Sequence, residues 1–513
     1  MLKILLCLLL ALVMLAACGR NEDTPTVEDV ACPYEDYNFY GQYPSSKEDY
    51  YTITVPDIPM HNEYNILLTI DPEARTVQGI SRINFTNRTG QPLETIVLRV
   101  FLNAFCHDVY PRPYTEDAEW RLHRPGEYRN RGYMTIEYVF INNDILEHSI
   151  DDTVLTLILE EPIEPDATVI LSLQYSAHVP QFGHITGGNE YAMWFGMFLP
   201  VLSVHDENGW HMEPFYPVGN PFFLETADYQ VEITTPINYN VVGTGHRIEE
   251  ICYDSETKTT RFVANMVRDF AFTVLSHYYY SAGITTDRGV EISLHYRTDL
   301  VSDRAYEILE FIRYNIEQLE YRVGVYPLGQ INVIETDTIH DSIAFSQIIF
   351  TDKRHLRHGE LANLSYSLAN QWFGSVVGTN RINEPWLDKG LIYFLQADIA
   401  HNTPELLRKY MRQIHGEIAD HNGLLLTNGL WAYTDTATFT ATHGYKAMLM
   451  LYQLYLRMGG ENFWALIKLY YQTFSFEIAT VQDFIYMAEE IYGYNLEEFF
   501  YEWIHSGTLP PLR

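Results

Sequence analysis

The hydrophobic period of this chain changes once, near residue 300, and that switch restricts it to two kinds of structure joined in series. From about residue 49 to 285 apolar residues come in short runs with partial alternation: Tyr51–Val55, Tyr64–Ile70, Ile80–Phe85, Val154–Leu159, Val169–Leu173, Tyr229–Thr234 and Phe270–Val274. Side chains of a strand point alternately to its two faces, so such runs predict half-buried strands. Turn signals such as Asn87-Arg88-Thr89-Gly90 separate them. Many short strands with frequent turns predict a β-sandwich-like N-terminal domain over 49–285. Beyond residue 300, Ala305, Ile308, Leu309, Ile312, Ile316, Leu319 and Val323 recur at helical spacing after a Ser302-Asp303 start, and Gly324 and Pro327 close that helix. Gln330–Glu335 reads as one more strand. Further helical runs are Glu360–Phe373, Lys389–Ile399, Glu405–Ile418, Tyr445–Met458 and Val481–Ile491. The fold class expected is therefore multidomain α+β, with a mostly helical second domain over 286–513.

The N-terminus stands apart from both domains. Lys3 is the only charge before an apolar run from Ile4 to Ala17. The run is shorter than the roughly 20 residues of a membrane-spanning helix. A basic start, a short apolar stretch and small residues at its end predict an export signal over 1–17. Its end, Leu15-Ala16-Ala17-Cys18-Gly19, resembles the lipobox of bacterial lipoproteins. That resemblance implies cleavage before Cys18, lipidation of Cys18 and a tether over 18–48. The expectation is an exported lipoprotein on the extracytoplasmic face of a bacterial cell membrane, held there through its lipid anchor. Three cysteines then remain, Cys32, Cys106 and Cys252, too few for a disulfide framework.

With 33 Lys+Arg against 67 Asp+Glu, the net charge is −34. A chain so acidic lacks the basic face that displaces phosphate counterions, so no nucleic-acid partner is expected. It is equally unsuited to binding anionic lipid through its own charge.

The chemistry sits between residues 340 and 450. Gln371-Trp372-Phe373-Gly374 is followed by Glu384-Pro385-Trp386-Leu387-Asp388-Lys389-Gly390. This pair of motifs resembles the membrane alanyl aminopeptidase and leukotriene hydrolase family of zinc peptidases, or gluzincins, and with it a thermolysin-like peptidase domain. In that family H-E-x-x-H precedes Q-W-F-G, and a third ligand, a Glu, follows the second His after eighteen intervening residues. Positions i and i+4 share one helix face, so both imidazoles meet one zinc, and the Glu beside the first His acts on the zinc-bound water. The register here is kept without insertion, and every metal-site residue differs. Tyr366 and Asn370 stand at the His positions, Ser367 at the general base and Lys389 at the third ligand. Ala344 stands where relatives carry the Glu that holds a substrate's amino terminus. His443, in His443-Gly444-Tyr445-Lys446, stands where they carry an intermediate-stabilising Tyr.

A neutral phenol, a hydroxyl, an amide and an ammonium make a poor set for zinc. No cofactor is therefore expected, although relatives use zinc, and no catalytic residue is expected at Ser367, His443 or Ala344. Lys389 is expected as a structural cation pairing with Asp388, Glu384 or the Tyr366 hydroxyl. Tyr366, Asn370, Lys389 and His443 are the residues expected to line the cleft. The leading reading is a non-catalytic, lipid-anchored homologue that binds a peptide or protein partner. Two others stand beside it: a peptidase with a divergent site, and a structural subunit of an envelope complex. A replacement metal site at His355, His358 and Glu360 with His340 and His443, and a Ser367 nucleophile, are the weaker routes to activity.

Overall fold

The computed structural model describes residues 61–106, 131–142, 144–181, 185–300, 302–338, 342–359, 361–421 and 423–512. The signal, Cys18, the tether, Tyr51–Val55, Cys32, His340 and Glu360 lie outside them.

The alternating runs of the first half form an eight-stranded sheet. Its order is His246–Cys252, Thr257–Val267, Ala227–Pro236, Asn62–Asp71, Thr76–Thr86, Thr168–His178, Tyr133–Ile141 and Asp144–Ile145. Asn62–Asp71 alternates strictly, burying Tyr64, Ile66, Leu68 and Ile70 and exposing the residues between. That is the pattern of a strand with one wet face. Two four-stranded sheets supply the opposing apolar surface through residues such as Ile96, Leu98, Leu155, Trp194 and Phe272, which join the same core.

The second domain is built on a five-stranded sheet. Its order is Tyr279–Thr285, Glu291–Arg297, Gln330–Thr336, Ile348–Asp352 and Ser342–Phe345. Strand Tyr279–Thr285 pairs antiparallel with Glu291–Arg297 and so lies on the second domain's sheet. Glu291–Arg297 and Gln330–Thr336 run parallel, joined by helix α1, Ser302–Arg322. A parallel pair needs such a crossover. The remaining helices are α2 (Lys353–His358), α3 (Ala362–Asn370), α4 (Trp386–Ala400), α5 (Pro404–Ile418), α6 (Thr436–Phe439), α7 (Ala447–Met458), α8 (Gly460–Phe474), α9 (Val481–Tyr492) and α10 (Glu497–His505). Where the sequence predicts one helix over Glu360–Phe373, α3 stops at Asn370, and the chain turns through Gly374 at φ +147°. Where it predicts a helix from Tyr445, a π-helical segment, Thr440–Lys446, comes first. Helix α4 is buried on nearly every side, as a core helix must be. Among the described residues no helix is long and apolar enough to cross a membrane.

The two domains share one apolar core and are stitched by buried polar contacts. Arg268, in the first domain, donates to the carbonyls of Leu224 (2.8 Å), Ser375 (3.3 Å), Val376 (3.1 Å) and Glu477 (3.1 Å). Burial pulls its guanidinium down to about 10. Gly378 makes room for it, since a Cβ there would fall 2.4 Å from its terminal atoms. Thr244 donates to the Ser346 carbonyl at 2.8 Å, and the Gln347 side chain accepts from Gly245 N at 2.7 Å. These contacts fix Ser375 and Val376 after α3 and the turn at Ser346 and Gln347 between strands Ser342–Phe345 and Ile348–Asp352, and so position the site.

Arg268→Met would leave those carbonyls without their donor. The expected loss is about 3–4 kcal/mol, read from the urea midpoint. A loss below about 1 kcal/mol would show that water replaces the guanidinium.

Candidate functional site

Helix α3 carries Tyr366, Ser367 and Asn370, and α4 carries Asp388 and Lys389. The Gln-Trp-Phe-Gly run between them is structural. Gln371 accepts from Tyr326 Oη (2.9 Å) and Gln347 N (3.0 Å) and donates to the Phe345 carbonyl (2.8 Å). Trp372 Nε1 donates to the Gly324 carbonyl at 2.8 Å. Both side chains are buried and hydrogen-bonded, so they clamp the end of α3 onto the sheet.

Lys389 is 6 % exposed, and its Nζ donates to Tyr366 Oη at 2.5 Å. It also lies 5.2 Å from the centroid of the Tyr366 ring. Of the three partners the sequence offered, the hydroxyl is the one used. Asp388 is taken by Arg381, with Nε 2.8 Å from Oδ2 and side chains 8 % and 0 % exposed. Glu384 instead accepts from Val481 N at 3.4 Å. Burial pulls the Lys389 ammonium down to about 8; the Asp388 charge opposes that fall and the Arg381 charge adds to it. Burial, with the Asp388 charge beside it, pushes the Tyr366 phenol well above its ordinary range. At neutral pH the pair is a cation bonded to a neutral phenol.

Asn370 does not join that pair. Its Oδ1 accepts from Arg381 Nη2 at 3.2 Å, tying α3 to the arginine that also holds Asp388. Gly374 makes the arrangement possible. A Cβ there would fall 1.6 Å from Arg381 Nη2 and 2.5 Å from Asn370 Oδ1. Sequence reasoning missed Arg381. The signal available was a glycine four residues after Asn370, with an arginine and an aspartate seven and fourteen residues beyond the glycine. Ser367 lies 2.8 Å from Ser342 Oγ, hydroxyl to hydroxyl, and no base reaches it among the described residues. A serine nucleophile needs such a base, so this geometry leaves Ser367 unactivated. Ala344 is buried on strand Ser342–Phe345.

His443 lies on the π-helical segment packed against α4 and is 0 % exposed. Its ring meets Tyr433 (5.3 Å) and Phe439 (5.2 Å) between centroids. Burial, then the Lys389 charge, pulls it down to about 3; the backbone of Asn428 opposes this. It is therefore neutral, and neither ring nitrogen reaches hydrogen-bond geometry with a described group. Lys446, next on this segment, donates to the carbonyls of Leu424 and Ser506, both at 2.7 Å. Tyr366, Tyr393 and Tyr445 form a row of half-buried rings with centroids 5.1 and 5.4 Å apart.

The donor set does not fit zinc. Lys389 at the centre is a cation, its phenol partner is neutral, and Asn370 faces a guanidinium. Among the described residues no three His, Cys, Asp or Glu side chains come together as a metal site. His340 and Glu360 of the proposed replacement site fall outside that set.

No family model matches the chain. One curated protein does: aminopeptidase O of Homo sapiens, 21 % identical over 239 residues, which cover 37 % of this chain. The chain spans 28 % of that relative's length. Among solved structures, the M1 zinc metallopeptidase from Deinococcus radiodurans superposes with a TM-score of 0.65 at 16 % identity, covering 88 % of this chain and 95 % of that one. A point mutant of the same protein bound to a Tyr-Ser-Ala substrate gives a TM-score of 0.66 at 16 % identity, over the same shares of the two chains. The fold is that of the M1 zinc metallopeptidases.

Two outcomes follow. Gly374→Ala adds a methyl to a position with left-handed backbone and no space. It is expected to cost about 2–4 kcal/mol in denaturant unfolding, and a neutral effect would mean that Arg381 can withdraw. Lys389 titrates at about 8 in the fold and near about 10.4 in an unfolded chain. Between those values the unfolded state binds more protons, so the contribution of Lys389 to stability rises with pH. Lys389→Met should flatten the rise in melting temperature between about pH 8 and pH 9.5, below the range where unfolded tyrosines ionise. An unchanged slope would assign the rise to other groups, such as Lys446, also pulled down to about 8.

Proposed function

We propose that this chain belongs to the M1 zinc metallopeptidase family as a degenerate member, and that it is a lipid-anchored, non-catalytic protein of a bacterial cell envelope which binds a peptide or protein partner. The observation that carries this reading is the Lys389–Tyr366 bond beside the Arg381–Asp388 pair. At the positions where relatives gather three ligands for a dication, this chain holds the cation Lys389, and Arg381 adds a second beside Asn370. A further dication would meet their repulsion with no free carboxylate to offset it.

The mechanism left to such a site is binding and orientation. Hydrolysis would need an activated water or nucleophile. Lys389 is bonded to a phenol that burial keeps protonated, His443 is neutral, and the Ser367 hydroxyl faces another hydroxyl. None of these pairs a base with a nucleophile. The fixed scaffold remains: α3 and α4 are clamped, and the tyrosine row offers partly exposed ring surface of the sort that recognition sites use. A lipid on Cys18 would keep an acidic domain beside a membrane that its own charge would not seek.

The test is metal analysis of the purified chain together with aminopeptidase assays on aminoacyl-nitroanilides, with and without chelator. Substoichiometric zinc and no chelator-sensitive hydrolysis are expected. Stoichiometric zinc, lost together with hydrolysis on chelation, would overturn the reading. Lipidation is tested separately: Cys18→Ala should move the protein from the membrane fraction to the soluble fraction.

A further inference from the structure

We propose that protonated His211 is a clasp on a strap, residues 203–223, which ties the β domain to the wall beside His443, and that this clasp loosens as pH rises through neutrality. The inference goes beyond the reading of the site and does not depend on it.

The strap begins with a short hairpin, His205–Asp206 paired antiparallel with Gly209–Trp210. It then reaches the second domain. Val204, Val218 and Phe223 share a small apolar cluster with Leu430, Tyr433 and Phe439. At Gly219 a Cβ would fall 2.7 Å from the Phe439 ring and 3.1 Å from Leu430, so the backbone lies directly on them. Tyr433 and Phe439 are the rings that meet His443. The strap thus covers one wall of the candidate site.

His211 lies inside the strap, with its side chain 10 % exposed and its ring edge-on to Phe223 at 4.9 Å between centroids. Nε2 is 2.7 Å from Asp206 Oδ2, and Nδ1 is 2.8 Å from Glu213 Oε1. A neutral imidazole has one N–H and one lone pair, and only the imidazolium donates from both nitrogens. Carboxylates at both ends of the ring therefore call for the charged form. Without its proton, one nitrogen would turn a lone pair toward a carboxylate oxygen.

The surrounding charges favour the same form. Arg99 donates to the carbonyls of Glu213 (2.7 Å) and His211 (3.5 Å) and to the Thr153 hydroxyl (2.9 Å). Its charge faces Glu213 and Asp152, and Asp152 accepts from Phe215 N at 3.2 Å. Arg99 Nε and Glu213 Oε2 have no described partner. Burial pulls His205 down and pushes Tyr216 up, so both are neutral near pH 7. Two cations, His211 and Arg99, thus answer three acidic groups, Asp206, Glu213 and Asp152. The bond to Glu213, resisted by burial and helped by the bond to Asp206, holds His211 above its ordinary value. Against burial, the bonds to His211 hold Asp206 and Glu213 below theirs. The stabilisation from His211 is therefore full below about pH 6.5 and is lost as pH rises through its higher value in the fold. Lys389 and Lys446 act with the opposite sign. The strap's other ties, Trp210 Nε1 to the Thr95 carbonyl (3.1 Å) and Ser203 Oγ to the His211 carbonyl (2.5 Å), carry no group that titrates near neutrality. The ring is what makes the strap sensitive to pH.

The experiment is hydrogen–deuterium exchange of the full chain between about pH 5.5 and pH 8.5, corrected for the intrinsic pH dependence of exchange. Protection of residues 205–216 and 430–439 is expected to fall about tenfold across that range, as one charge-assisted hydrogen bond is lost, while Asn62–Asp71 keeps its protection. His211→Gln, uncharged throughout, should show the lower protection at both ends and no fall. Asp206→Asn, at a side chain 37 % exposed, should keep the fall and move its midpoint to lower pH. Constant protection of 205–216 in the unmutated chain overturns the clasp, and so does a fall that survives in His211→Gln. A fall confined to 205–216 overturns the tie to the wall beside His443. The unmutated chain decides the matter even where a variant fails to fold.

Discussion

The Arg381–Asp388 pair is the constraint around which the centre of this molecule is arranged. Two opposite charges 2.8 Å apart, 8 % and 0 % exposed, hold α4 against the turn that follows α3. Removing either would strand the other in a medium of low dielectric. The pair also determines its neighbours. It draws Asn370 toward the guanidinium, requires Gly374 to carry no side chain, and consumes the carboxylate nearest Lys389. Lys389 is therefore left to a phenol. The centre is a connected electrostatic arrangement, and each of its residues makes sense only beside the others.

How much of this was legible in the sequence depends on the range of the interaction. The change of period near residue 300 reports which faces are buried. The alternating strands Asn62–Asp71 and Thr168–His178 and the helix Ser302–Arg322 follow it closely. Spacing also places Tyr366, Asn370 and Lys389 on two successive helices. The spacing does not tell which partner Lys389 takes. Asp388 is its chain neighbour, yet Arg381 captures it, because successive side chains on a helix point in different directions. The π-helical segment Thr440–Lys446 escaped for a similar reason. Its apolar pattern continues smoothly into α7, and the wider turn comes from tertiary packing. There Gly444 lies against Tyr393, and Gly390 of α4 lies against Ala447.

Joining the domains needs longer-range information still. Arg268 follows a strand of the first domain and satisfies carbonyls at Ser375, Val376 and Glu477, more than a hundred residues downstream. No local pattern marks an arginine for that role. Its consequence is local all the same: by gripping the chain after Gly374, it holds in place the turn that Arg381 passes through. Rigidity at the site is thus supplied partly by the β domain.

The net charge of −34 takes a particular meaning against this background. The surface is acidic, while the buried centre gathers the Lys389 ammonium, the Arg381 guanidinium and the Asp388 carboxylate. Surface charge is screened by salt within roughly 10 Å, whereas a buried cation is screened far less. The same burial that makes Lys389 costly to keep makes its bond to the Tyr366 phenol count for more than it would at the surface.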